Sequence, residues 1–143
     1  MPLSVFKGSI AAPAGTGNQG YTGVGFTPEL IIFFKTGQTA AGFAVHQRHG
    51  FGAVSGTPAA NMRAIGISGQ DALATSDTGF IRWTAGTVEI DEGLNVPVEA
   101  DLVSFDADGF TLNWVSTVSG RLVHYLALGG TDLTGSVVDA FAA

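Results

Sequence analysis

Apolar and polar residues alternate along most of this chain with a period of two, the mark of strands that bury one face. An opening strand runs from Leu3 and Val5 toward Ile10. Pro28 then precedes residues 29–36, where Leu30, Ile31, Ile32, Phe33 and Phe34 form an unbroken apolar run of strand length. Such a run reads as a central strand with both faces covered. Residues 43–48 and 51–54 read as two shorter strands split near Gly50. Residues 80–84 make another, with 87–90 as its hairpin partner across Gly86. Farther on, residues 101–106 and 110–115 both alternate and flank Ala107-Asp108-Gly109. Asp-Gly supplies the positive φ that a tight hairpin turn requires. Residues 121–128 add a third strand, ended by Gly129-Gly130, which predicts a three-strand antiparallel meander.

Helical signal is scarce. Thr57-Pro58 can open a short turn toward Arg63, and Ser136 with Asp139 resembles a capping box before Phe141. Neither is long enough to act as a layer. Roughly eight to ten short strands predict an all-β chain, an antiparallel β-sandwich of jelly-roll type. The length, 143 residues, suits one domain spanning residues 1–143. The stretch 131–143, with Leu133, Val137, Val138 and Phe141, reads either as a C-terminal arm packing on a neighbour or as a final strand closing its own sheet.

Composition narrows the function classes. Six Lys and Arg stand against 12 Asp and Glu, a formal charge of −6, so the chain lacks the basic footprint of a nucleic-acid binder. Charged residues make up 13% of the chain, about half the ~25% of ordinary soluble domains. A small monomer normally covers its surface with Lys and Glu. The deficit therefore points to surface buried against other chains; a tight sandwich with Gly-, Ser- and Thr-rich loops is the alternative. There are 21 glycines and no cysteine, which removes disulfides, thiol nucleophiles and thiolate metal sites. No apolar run approaches the ~20 residues of a membrane helix. Residues 1–7 lack the pattern of a signal peptide, and no Asn-x-Ser/Thr acceptor occurs, so the chain reads as soluble and unprocessed.

Candidate chemistry is thin. Gly15-Thr16-Gly17-Asn18-Gln19-Gly20 fits G-x-G-x-x-G, but Tyr21-Thr22-Gly23-Val24-Gly25 follows where a dinucleotide site needs a helix. A flexible loop is the better reading. His46, Gln47, Arg48 and His49 form a polar patch without a third ligand or an H-E-x-x-H pattern, so it reads first as ordinary loop or edge-strand polarity, then as interface or ligand hydrogen bonding, and least as a metal site. His124, between Val123 and Tyr125, reads as a half-buried, satisfied histidine. No Ser sits in a G-x-S-x-G elbow. Asp106-Ala107-Asp108-Gly109 lacks the rest of a calcium loop, and Asp91, Glu92, Glu99 and Asp101 read as a solvated acidic loop more readily than as a cation site. No catalytic residue, cofactor or metal is expected. Trp114 alternates with core candidates, whereas Trp83 beside Arg82 is the better place for a sugar to stack.

Two segments carry a resemblance. Residues 23–34, where Gly25-Phe26-Thr27-Pro28 leads into the apolar strand, and residues 106–114 with 123–130 resemble small β-sandwich structural proteins of tailed bacteriophage virions. That group includes head decoration (cement) proteins, tail fibres and lectin-like tips. The chain has no heptads, repeats or fibre adaptor, which favours decoration. The resemblance implies a protein of the capsid surface, made in the host cytoplasm, assembling as a homo-oligomer, a trimer by analogy, and binding the major capsid protein. Nucleic acid and membrane are not expected partners. Leu3, Val5, Phe6, His46, Arg48, His49, Leu133, Val137, Val138 and Phe141 are the expected interface residues, since none has an evident partner in the strand pattern. The alternative function is a tail-associated carbohydrate- or receptor-binding module that uses Arg82 and Trp83.

Overall fold

The computed structural model describes residues 2–56, 61–75, 77–91 and 93–133. The described residues form ten strands and no helix. In chain order these are β1 (Ser4–Ala11), β2 (Gly17–Thr22), β3 (Leu30–Thr36), β4 (Gln47–Ser55) and β5 (Met62–Gln70), followed by β6 (Asp77–Trp83), β7 (Thr87–Glu89), β8 (Val98–Asp106), β9 (Gly109–Ser116) and β10 (Leu122–Gly129). Two antiparallel sheets pack face to face as a β-sandwich. The larger has the order β1-β10-β3-β4-β5-β6 and the smaller β2-β9-β8-β7. In this order β1 lies beside β10 and β2 beside β9. The six-and-four division, with β3 to β6 running as a meander, departs from a jelly roll of two four-strand Greek keys.

Phe110 ties the sheets together. Its ring, on β9, meets Phe33 of β3 edge-on at 6.0 Å and Tyr125 of β10 at 5.0 Å, and Tyr21 of β2 lies at 5.5 Å. Such aromatic pairs add about 0.5–1.5 kcal/mol each beyond area burial. Trp114 is buried alongside, and its indole N–H donates to Tyr21 Oη at 3.0 Å. The turn before β9 is anchored by acids: Asp108 accepts from the Gly23 and Gly25 amides, and Asp106 from Ser104 and Thr111.

Several expectations are corrected. Residues 121–128 do not continue a meander: β10 crosses to the larger sheet, between β1 and β3. The chain likewise changes sheets after Trp83, so β7 is the partner of β8 and not of β6. The two short strands around Gly50 are one, β4, while residues 38–46 form a loop. The segment read as a loop at the G-x-G-x-x-G letters supplies β2, and β5 was hidden because its inward positions include Gly66 and Ser68. β3 is central, but only its inner face is covered: Ile31 and Phe33 are buried, Ile32 and Phe34 exposed. Residues 57–60 and 134–143 lie outside the described residues, and the end of the first expected helical turn, Met62 and Arg63, belongs to β5 instead.

Much of the glycine serves close approach between sheets. Residues 87–90 are wholly buried, and β7 lies directly on β4. A methyl on Gly52 would collide with the Gly86 carbonyl oxygen, and one on Gly50 with that of Val88. Backbone therefore occupies the space that side chains fill in sheets packed at the usual ~10 Å. Gly52→Ala is expected to destabilise the fold by about 1–3 kcal/mol or more in denaturant titration. Gly15→Ala, where an added methyl meets nothing, should leave stability unchanged or slightly higher.

Candidate functional site

The close seat of β7 carries a carboxylate into the interior. Glu89 is 1% exposed, and three cations surround it. Lys35 Nζ lies 3.7 Å from Glu89 Oε2, while Arg48 Nη1 and Arg121 Nε approach Oε1 at 3.8 and 3.6 Å. Each cation comes from a different place: Lys35 from the inner face of β3, Arg48 from the inner face of β4, and Arg121 from the residue before β10. Alternation places Lys35 on the same face as Ile31 and Phe33, so its charge is drawn inside with them.

These contacts are ion pairs longer than hydrogen bonds. Lys35 Nζ, Arg121 Nε and both Glu89 oxygens have no hydrogen-bond partner among the described residues. Burial drives the Lys35 ammonium down from its ordinary 10.5 to about 7; Glu89 pulls it back up, and Arg121 adds to the lowering.

Outside this cluster the end of the sandwich opens into a cavity of about 660 Å³. Its wall is the loop 38–46 with the start of β4, and Arg48, Arg121, His46, His49, Gln38 and Gln47 line it. Phe43 on the loop is fully exposed and Val45 is 77% exposed. His46 has φ 68° and accepts from the Asp71 amide through Nδ1 at 3.2 Å.

The structure distributes the expected interface residues unevenly. Leu3 and Val5 are exposed at the edge of the larger sheet. Phe6 is half-buried, packs against the core and lies 6.1 Å from Tyr125. Arg48 differs from expectation, since its guanidinium points at Glu89. His46 and His49 line the cavity; Leu133 is half-buried, and Val137, Val138 and Phe141 lie outside the described residues.

Arg82 and Trp83 do not form one sugar platform. Arg82 sits opposite Ile65, which faces outward, and Trp83 opposite Ala64, which faces the core, so the two lie on opposite faces of β6. His124 is half-buried, with Nδ1 2.6 Å from Ser9 Oγ. Asp91 is occupied by the Gly93 and Asn95 amides, and no group of three metal-ligating side chains gathers among the described residues.

Compared with protein-family models, curated proteins and solved structures, the chain matches none.

Reading the sequence missed Lys35, Glu89 and Arg121. Lys35 did leave a signal: it continues the inward register of Ile31 and Phe33. Glu89 left a weaker one, a lone acid between Val88 and Ile90. Glu89→Gln would leave buried cations uncompensated and is expected to destabilise by about 3–5 kcal/mol in chemical denaturation.

Lys35 also sets a pH dependence. Between about pH 7 and 10.5 the unfolded chain keeps a proton that the folded Lys35 has lost, so this residue's contribution to stability rises with pH across that window. Denaturation midpoints at pH 7 and 9 should show that rise in the wild type and a smaller one in Lys35→Met.

Proposed function

We propose that this chain is a structural protein of a tailed-bacteriophage virion, a head-decoration protein that acts by assembly and without catalysis. The virion setting rests on the resemblance of residues 23–34 and of 106–114 with 123–130. The observation that carries the mode of action is the outward face of the larger sheet. Cross-strand rows place Phe34, Phe51, Ile65 and Arg82 side by side, and Ile67 next to Phe80. Phe51 is 54% exposed and Phe80 87%. An apolar stripe across that many strands marks an interaction surface.

Charge supports a particular occupant. Of the six cations, three surround Glu89; the other three, Lys7, Arg63 and Arg82, lie on this outward face, whose strand positions hold no Asp or Glu. The smaller sheet has the opposite character. Asp101, Asn113 and Asn18 form an outward row there, with Glu99 on the same strand and face as Asp101. The occupant is a second copy joined head to tail, basic apolar face against acidic face. An isologous contact between two larger sheets would set cations near cations with no acid between them. Head-to-tail contacts that close make rings, consistent with a trimer seated where capsomers meet and bound to the major capsid protein. Apolar burial across those joints supplies the stabilisation, at about 25 cal/mol per Å² before association losses.

Light scattering after size exclusion should show an oligomer that Phe51→Asp converts to a folded monomer. A monomeric wild type would overturn the assembly reading. Quantitative mass spectrometry of purified virions should find the chain at an abundance comparable to the major capsid protein. A small number of copies would instead place it on the tail.

A further inference from the structure

The cavity beside Glu89 has a chemistry that the assembly surface does not use. Its described lining contains Arg48, Arg121, His46 and His49 and no carboxylate. Acids stand behind and beside it: Glu89 beneath the arginines, Asp91, which feels Arg48 and is tied to Asn95 and Gly93, and Asp71, whose amide donates to His46. Lys35, Arg48 and Arg121 gather around Glu89 behind this lining. The cluster is also fixed in place, since the close seat of β7 holds Glu89 and Glu89 in turn holds both arginines at the cavity floor. Positioned guanidinium groups match the planar oxygen pair of a carboxylate and the oxygens of a phosphate.

The size of the cavity says more about the ligand. About 660 Å³ is far more than an inorganic anion fills and lies within the range of small-molecule sites. Gln38, Gln47 and Thr36 add amide and hydroxyl groups around the arginines, and Phe43 and Val45 offer apolar cover from the loop. Amides and hydroxyls recognise hydroxylated ligands, since they both donate and accept.

We propose that this cavity binds a small organic oxyanion, a carboxylate or phosphate carried on a hydroxylated body such as an acidic sugar. Arg48 and Arg121 meet the anion, and Gln38 and Gln47 meet the hydroxyl groups. Thr36, Gln47 and His49 stand at the end of the outward sheet face, but Arg48 points inward and Arg121 precedes β10, so the anion contacts do not depend on the assembly reading.

Titration calorimetry of the full chain with glucuronate, glucose 6-phosphate and glucose tests it. Glucuronate, glucose 6-phosphate or both should bind saturably at low salt while glucose does not; the stronger of the two identifies the anion as carboxylate or phosphate. Gln47→Glu places a carboxylate in the lining at an exposed position away from Glu89, and should weaken binding by about tenfold or more. Arg121→Lys keeps the charge but removes the fork, and should weaken binding less than Gln47→Glu while circular dichroism stays unchanged. Equal binding of glucose and glucuronate, no binding of either anion, or an unchanged affinity in Gln47→Glu would each overturn the proposal.

Discussion

The rest of the structure depends on how closely β7 approaches β4. Gly50 and Gly52 let the carbonyl oxygens of Val88 and Gly86 occupy space where side chains would stand. This lowers a short strand into the interior and buries Thr87, Val88, Glu89 and Ile90 together. A carboxylate taken so deep is costly unless paired, and the pairing draws Lys35, Arg48 and Arg121 to one end of the sandwich. The depth of the buried charge thus follows from one backbone contact, and the cavity opens beside it.

The same arrangement partitions the basic residues. Three cations gather at Glu89, and strand alternation places the other three, Lys7, Arg63 and Arg82, on the outward face of the larger sheet. The acids collect elsewhere, partly on the smaller sheet and partly in turns, where Asp91, Asp106 and Asp108 accept backbone and side-chain hydrogen bonds. A chain poor in charge thus has two faces of opposite sign, one of them strongly apolar. That polarity sets a head-to-tail geometry apart from a symmetric one.

Individual strands were legible wherever one face is apolar and the other polar, as in β1, β8, β9 and β10, together with the Asp108-Gly109 turn. β2 and β5 were not, because glycine and small polar residues occupy positions where the pattern requires apolar ones. β3 misled in another way: its continuous apolar run suggested two covered faces, yet Ile32 and Phe34 face outward. That departure from pattern is part of the exposed apolar stripe on the larger sheet. Of the interface residues expected from sequence, Val5 and His49 share this face, whereas Phe51, Ile65 and Phe80 look like ordinary strand residues until the register aligns them.

The sequence by itself determined the all-β class, the sandwich, the shortage of charge and the lack of a recognisable catalytic motif. These depend on local period and composition, which are written along the chain. Only the tertiary structure decided that β10 leaves the meander for the other sheet, that Glu89 meets three cations, and that Arg82 and Trp83 face opposite ways. Those outcomes depend on which strands become neighbours across long separations. That choice is made by close packing at Gly50 and Gly52 and by the cost of an unpaired buried charge. A period of two tells each residue which face it takes, but not what lies against that face.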